Sequence, residues 1–259
     1  MKKTAAILIP GRDPRSRYCA EALTDRGWQV AEYPTGQADV IVLPLGVRTP
    51  PELREELHTG QIVLGGRIGA ERTELESLGV TVYDYYDDPI LQAENAIPTA
   101  EGAIGILMGR LPVTITGMRC LITGFGRIGA ALALRLALLG ADVTVSARRD
   151  ADLGRITALG LRAERTGQYR YSLGEYDAVI NTVPASVFSE NDYVNFKDDC
   201  LLLELASAPG GISESRCRER NLHFVRAPGL PGRCAPKTAG YAIADAVARI
   251  LEMEARHAT

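Results

Sequence analysis

The chain has 259 residues, 46% of them hydrophobic and 24% charged, with a formal net charge of −3 at pH 7. That length supplies core for one large domain or two modest ones, and the charge balance excludes the strong positive field of a nucleic-acid or anionic-membrane binder. The five cysteines, Cys19, Cys120, Cys200, Cys217 and Cys234, are odd in number and never in CxxC spacing, so they read as reduced cytoplasmic thiols and not as a disulfide framework or a metal site.

Lys2 and Lys3 precede an apolar run over residues 4–9, but Pro10, Gly11, Arg12 and Asp13 end it too soon for a secretory signal. The run reads instead as a first strand. Further strands are expected at 28–33, 40–43, 62–64 and 80–83, separated by helices near 15–26, 51–57 and 71–78. Pro51 suits a helix first turn, and Gly27, Gly60 and Gly79 suit helix ends. Residues 89–112, PILQAENAIPTAEGAIGILMGRLP, have helical apolar spacing, and Pro98 is expected to kink or restart that helix. This connector closes a first, substrate-side domain over 1–112.

A second domain, 113–235, repeats the alternation, with strands expected at 120–123, 143–146, 178–182, 201–205 and 223–226. Residues 236–259 form a last, amphipathic helix expected to return to the first domain. The fold class is α/β: two Rossmann-like domains with parallel sheets and a cleft between them that collects the loops at the strands' carboxyl ends.

The chemistry concentrates in residues 119–149, RCLITGFGRIGAALALRLALLGADVTVSARR. An unalternating apolar run is expected for a parallel strand buried on both faces. After it, Gly124 permits a tight turn, Gly126 lets backbone approach a pyrophosphate, and Gly129 lets the next helix pack closely on the strand. Together with Phe125, Arg127 and Ile128 these glycines form the candidate cofactor loop, with the amides and positive dipole end of helix 127–139 aimed at the anion. An NAD-selective site would place an Asp or Glu about 20 residues further on, to hold the ribose 2′-hydroxyl. Here Ser146, Arg148 and Arg149 stand at the second strand end. A hydroxyl and two guanidinium groups suit a 2′-phosphate, so NADP is favoured, with NAD possible.

Asn181, Thr182 and Pro184 follow one later strand, and residues 206–211, ASAPGG, follow the next. Both loops are candidates for the nicotinamide half, although turn chemistry alone also selects such residues. In the first domain Gly65 and Gly66 allow close approach of a ligand, and Arg67 is positioned to clamp a carboxylate. Arg12, Asp13, Arg15 and Arg17 read as a solvated loop.

AENAIPTAEGAI (93–104), GFGRIG (124–129), NTVPA (181–185) and GLPGRCAPKTAG (229–240) resemble, in order and across most of the chain, the A-subunit family of dipicolinate synthase. The resemblance implies a spore-former's mother-cell cytoplasmic enzyme component. It would act with the B-subunit of dipicolinate synthase, a flavoprotein-like partner, to make pyridine-2,6-dicarboxylate from a dihydro- or hydroxytetrahydro-dipicolinate. Where family members carry Gly and Lys around the second strand end, this chain has Ser146 and Arg149, which keeps that end basic. Such chemistry needs donors for two substrate carboxylates. Lys237 and Thr238 at the start of the last helix, facing Asn95 and Thr99 on the connector, are the candidates. Glu101 is the first candidate proton acceptor and Lys237 the second, although Glu101 also suits a helix first turn and Lys237 a solvated surface.

Two alternatives stay open. A 2-hydroxyacid dehydrogenase would share the architecture but needs a general acid/base, commonly His; the three histidines are His58, His223 and His257, and His223 falls inside a strand. A non-catalytic dinucleotide-binding subunit is the other, and homo-oligomers suit any of the three.

Overall fold

Two parallel sheets form, each in its own compact unit: one comprises the chain up to Asn95 together with the chain from Pro231 onward, the other Ala96–Leu230. They are seen in a computed structural model that describes residues 4–7, 13–31 and 38–257. The outer ends of the first two expected strands, and Arg12, lie outside the described residues.

The first unit runs β1 (Thr4–Ile7), α1 (Pro14–Asp25), β2 (Gln29–Ala31), β3 (Val40–Leu45), α2 (Pro51–Glu56), β4 (Ile62–Gly66), α3 (Glu71–Glu76), β5 (Thr81–Asp84) and α4 (Pro89–Glu94). The second unit continues with α5 (Ala96–Arg110), β6 (Arg119–Thr123), α6 (Arg127–Leu138), β7 (Asp142–Ala147), α7 (Asp150–Ala158), β8 (Arg162–Arg165), β9 (Ala178–Asn181), β10 (Leu201–Glu204), α8 (Glu214–Glu219) and β11 (His223–Arg226). A short α9 (Leu230–Cys234) leads to α10 (Pro236–His257), which packs on α1 in the first unit through Cys19, Ala22, Leu23, Ile243, Ala246 and Val247.

The first sheet has the order β2-β1-β3-β4-β5 and the second β11-β10-β9-β6-β7-β8. Every neighbouring pair is parallel. In the second unit the chain steps outward from β6 through β7 to β8, then returns to β6's other side as β9. The reversal between β6 and β9 opens the crevice in which doubly wound sheets bind ligands. One face of this sheet is covered by α5 and α6, with Leu107, Met118, Leu132 and Leu136 in its core; the other is covered by Tyr169, Phe188, Tyr193 and Phe196.

Two expectations change. The connector breaks at Asn95, not at Pro98, which falls in the first turn of α5, where its missing N–H costs no helical bond. Because Ala100, Ala103, Ile104 and Leu107 then pack into the second unit's core, the boundary lies at 95/96 and not at 112. β8 went unpredicted: RAER has no apolar run, and its charges suit the edge it occupies.

Burial pushes the thiols of Cys19, Cys120, Cys200 and Cys217 up to about 12, which makes them inert packing groups. Among the described residues no helix is long and apolar enough to cross a membrane.

Asp88 links two elements of the first unit. It caps α4 by accepting from the Ile90 and Leu91 amides, and it takes a 2.8 Å bond from Arg249 Nε of α10. Burial works to raise its carboxyl, but Arg249 and the two amides outweigh that and hold it below its ordinary value. A depressed folded-state value means the contribution is complete above the ordinary carboxylate range and is lost as pH falls through the folded value. Asp88→Ala should therefore lose about 2 kcal/mol in urea unfolding at neutral pH, and the gap to wild type should close below about pH 4.

Candidate dinucleotide site

The end of β6 and the start of α6 are locked together by backbone contact. Gly124 turns at φ +94°, and a Cβ on Gly129 would lie 2.2 Å from the Gly124 carbonyl oxygen. Phe125 turns its ring into the core, with the Arg155 guanidinium of α7 5.5 Å above it. Gly126 is the N-cap and supplies no capping side chain; a Cβ placed there meets nothing within 4 Å. The first intrahelical bond runs from the Ala130 amide to Gly126 O, so the amides of Arg127, Ile128 and Gly129 are the helix's unclaimed donors. An open Gly126 face beside three unclaimed amides is a cradle for a phosphate, and the residues present fit one.

The second strand end divides differently from expectation. Ser146 is fully buried and its Oγ has no partner; its backbone carbonyl accepts from the Gly124 amide. Arg148 and Arg149 are exposed. Arg149 pairs at 2.7 Å with Asp152, and Arg155 stands 3.7 Å from the same carboxylate. Arg165 pairs with Asp150 and donates to the Arg148 carbonyl. Four arginines thus surround this corner, two of them missed in the sequence because they come from α7 and β8.

Strand register aligns Glu164, Ser146, Thr123, Asn181, Glu204 and Arg226 in one polar row across all six strands, directly above an apolar layer. Asn181 is fully buried, so it is not the expected cofactor ligand. Its Oδ1 accepts from Thr123 Oγ1 (2.6 Å) and the Val183 amide, and its Nδ2 donates to Val183 O and to the Glu204 carboxylate. Thr182 donates its hydroxyl to Thr123 O, and Pro184 is exposed. Glu204 was not singled out from sequence; the signal was the polar residue closing LLLE after an apolar run.

Glu101 is exposed and lies 3.6 Å from Arg135 of α6. Arg135 stands eight residues beyond Arg127, about 12 Å along the helix. Glu101 thus has a helix-to-helix partner away from the Gly-rich turn. Thr99 is buried in α5. His223 opens β11 at the amino end of the sheet, opposite the turn.

In the first unit, Arg67 adopts φ +60° after β4. The Asp84 carboxylate accepts the Arg67 and Ile68 amides at 2.9 Å, and the Arg67 guanidinium lies 4.6 Å over the Tyr86 ring. Gly65 and Gly66 serve packing and not ligand approach, since Cβ atoms there would strike Ile68 at 2.6 Å and Leu45 at 2.5 Å. Asn95 is buried at the end of α4. Lys237 and Thr238 are exposed in the first turn of α10, with Lys237 Nζ 5.3 Å from the Tyr241 ring and 3.9 Å from Glu21.

The dipicolinate synthase A-subunit of Bacillus subtilis (strain 168) is 30% identical over 240 residues, covering 86% of this chain and 80% of that protein. The chain belongs to the A-subunit family of dipicolinate synthase. The crystal structure of the dipicolinate synthase A-subunit from Bacillus halodurans matches it with a TM-score of 0.87 and 26% identity over 96% of this chain and 97% of that one. The fold extends further: transhydrogenase from Sinorhizobium meliloti, 14% identical, gives a TM-score of 0.73 over 96% and 94% of the two chains. No protein-family model matches the chain. The family resemblance carried by the four motifs is thereby borne out, and so is the α/β class.

The two turn glycines separate stability from ligand access in this A-subunit family member. Gly129→Ala forces the corner apart and should cost about 2 kcal/mol. Gly126→Ala meets open space and should cost less than about 1 kcal/mol. Thermal and urea unfolding of the two variants measure the contrast, and equal losses would contradict the packing described.

Proposed function

We propose that the chain is the nicotinamide-dependent oxidoreductase component of a dipicolinate synthase, binding NADP in preference to NAD and acting with a second, flavoprotein-like subunit. The observation that carries the reading is the uncapped start of α6 with the open face of Gly126, at the point where the strand order reverses. The name of the Bacillus subtilis relative supplies the product, pyridine-2,6-dicarboxylate, and the existence of a partner subunit. The substrate is a dihydro- or hydroxytetrahydro-dipicolinate.

When bound, the nicotinamide supplies a hydride acceptor for aromatisation of the ring. The chain's own residues do the rest. The amides of Arg127, Ile128 and Gly129 bind the pyrophosphate, while Arg148 and Arg149 hold the 2′-phosphate by charge-assisted bonds. Arg149 shares its guanidinium with Asp152, which orients it at the strand end. In the first unit Arg67, Lys237 and Thr238 offer two cations and a hydroxyl for substrate carboxylates, and Lys237 is the candidate for proton transfer. Asn95 and Thr99 are both buried.

Purified chain is mixed with enzymatically generated dihydrodipicolinate precursor and NADP, with and without the flavoprotein partner, while NADPH and pyridine absorbance are followed together. Product that appears at the same rate without this chain or without NADP would overturn the assignment. Replacing Arg148 and Arg149 together by Ala should weaken NADP binding about 10- to 100-fold and NAD binding less than about twofold, as titration calorimetry would measure. Equal losses would show that the 2′-phosphate is read elsewhere.

A further inference from the structure

Glu204 ends β10 with 1% of its surface exposed. Four N–H donors converge on its carboxylate. Oε1 accepts from Asn181 Nδ2 (2.8 Å) and the Ala206 amide (2.8 Å); Oε2 accepts from Asn181 Nδ2 (3.0 Å) and the Gly211 and Ile212 amides (2.8 and 2.9 Å). A carboxylate out of water is costly unless its oxygens are bonded, so these donors are the condition of its being there. Three of the four are backbone amides of one loop, residues 206–212. The fourth, Asn181, carries the connection to Val183 of the next loop and to Thr123, the residue before Gly124. Strand register puts Thr123, Asn181 and Glu204 level on adjacent strands, so the chain of bonds is continuous from the Gly-rich turn across β9 to the loop after β10. Close packing seals the far end: a Cβ on Gly211 would lie 2.6 Å from Ala185 O and 2.6 Å from Asn181 Nδ2.

We propose that Glu204 is a positioning residue for the nicotinamide half of the dinucleotide, fixing the loops after β9 and β10 as one rigid wall beside the Gly-rich turn. This rests on the dinucleotide reading above. With the adenosine 2′-position read at the end of β7, a coenzyme whose pyrophosphate sits on α6 extends its other half toward β9 and β10. On the β7 side the groups offered are exposed guanidiniums. On the β9 side the side chains are spent on one another, and what they hold in place is backbone. Glu204 touches no ligand; it acts through Ala206, Gly211, Ile212 and Asn181.

Glu204→Gln tests this, because it keeps the shape and turns an amide group against N–H donors. NADP should bind about 10-fold more weakly, whereas 2′,5′-ADP, which spans only the adenosine side, should change less than about twofold. Hydrogen exchange at the amides of Ala206, Gly211 and Ile212 should accelerate at least about 10-fold, with the amides of α6 unchanged. Unchanged NADP affinity, or equal losses for both nucleotides, would overturn the proposal, since a merely structural role moves both or neither. If Glu204→Gln does not fold, Gly211→Ala displaces the same loop while leaving the carboxylate, and the same split between the two nucleotides is required. Wild-type chain that binds neither nucleotide would overturn the dinucleotide reading and this proposal with it. Loop amides in Glu204→Gln exchanging at the wild-type rate would overturn the proposal alone.

Discussion

The approach of Gly129 to the carbonyl of Gly124 is the contact on which the second unit's chemistry depends. No other residue fits there, since a single Cβ would sit 2.2 Å from that oxygen. The contact sets the start of α6 directly over the end of β6, and the burial of Phe125 keeps the intervening backbone from lifting away. Everything proposed for this corner follows from that placement: three amides share one direction, and a glycine without neighbours stands in front of them. The strand order adds location, because β6 is the strand from which the chain builds outward on both sides.

Above the apolar layer the sheet ends in its polar row, and the two halves of that row solve different problems. Flanking the β7 and β8 half stand the exposed guanidiniums of Arg148, Arg149, Arg155 and Arg165, arranged around Asp150 and the buried Asp152, where solvent screens them and a charged ligand can compete for them. Toward β9 and β10 the polar groups are buried and saturate one another, an arrangement that resists rearrangement because each lost partner leaves a desolvated group behind. The first half is suited to recognising charge and the second to holding backbone still.

Much of this was legible in the sequence, for a physical reason: strands of a parallel sheet buried on both faces appear as unbroken apolar runs. CLIT, AVIN and LLLE announced β6, β9 and β10 to within a residue. RAER did not, because an edge strand need not be apolar. The Gly-rich turn was legible because its demands are local, three glycines at fixed spacing. Asn181 and Glu204 were misjudged or passed over because their roles are not local. Asn181 and Glu204 are 23 residues apart and meet only through strand register. The pairing of Glu101 with Arg135 likewise depends on α5 lying against α6.

The same reasoning decides which helix of the second unit receives an anion. Three helices begin at the carboxyl ends of its strands: α6, α7 and α8. Each N-terminus carries partial positive charge and unclaimed amides. α7 answers its own with Asp150 and Asp152 in the first turn, and α8 with Glu214 and the Ser213 side chain, which accepts from the Arg216 amide. α6 has no acidic residue in its first turn and no capping side chain. It is the longest of the three and stands beside the reversal in strand order. An N-terminus left without an internal counter-charge, and with glycine where a capping side chain would sit, is stabilised by an external anion more than either neighbour. Among these three helices the demand for an external anion falls on α6, and the exposed guanidiniums of Arg148 and Arg149 stand one strand away.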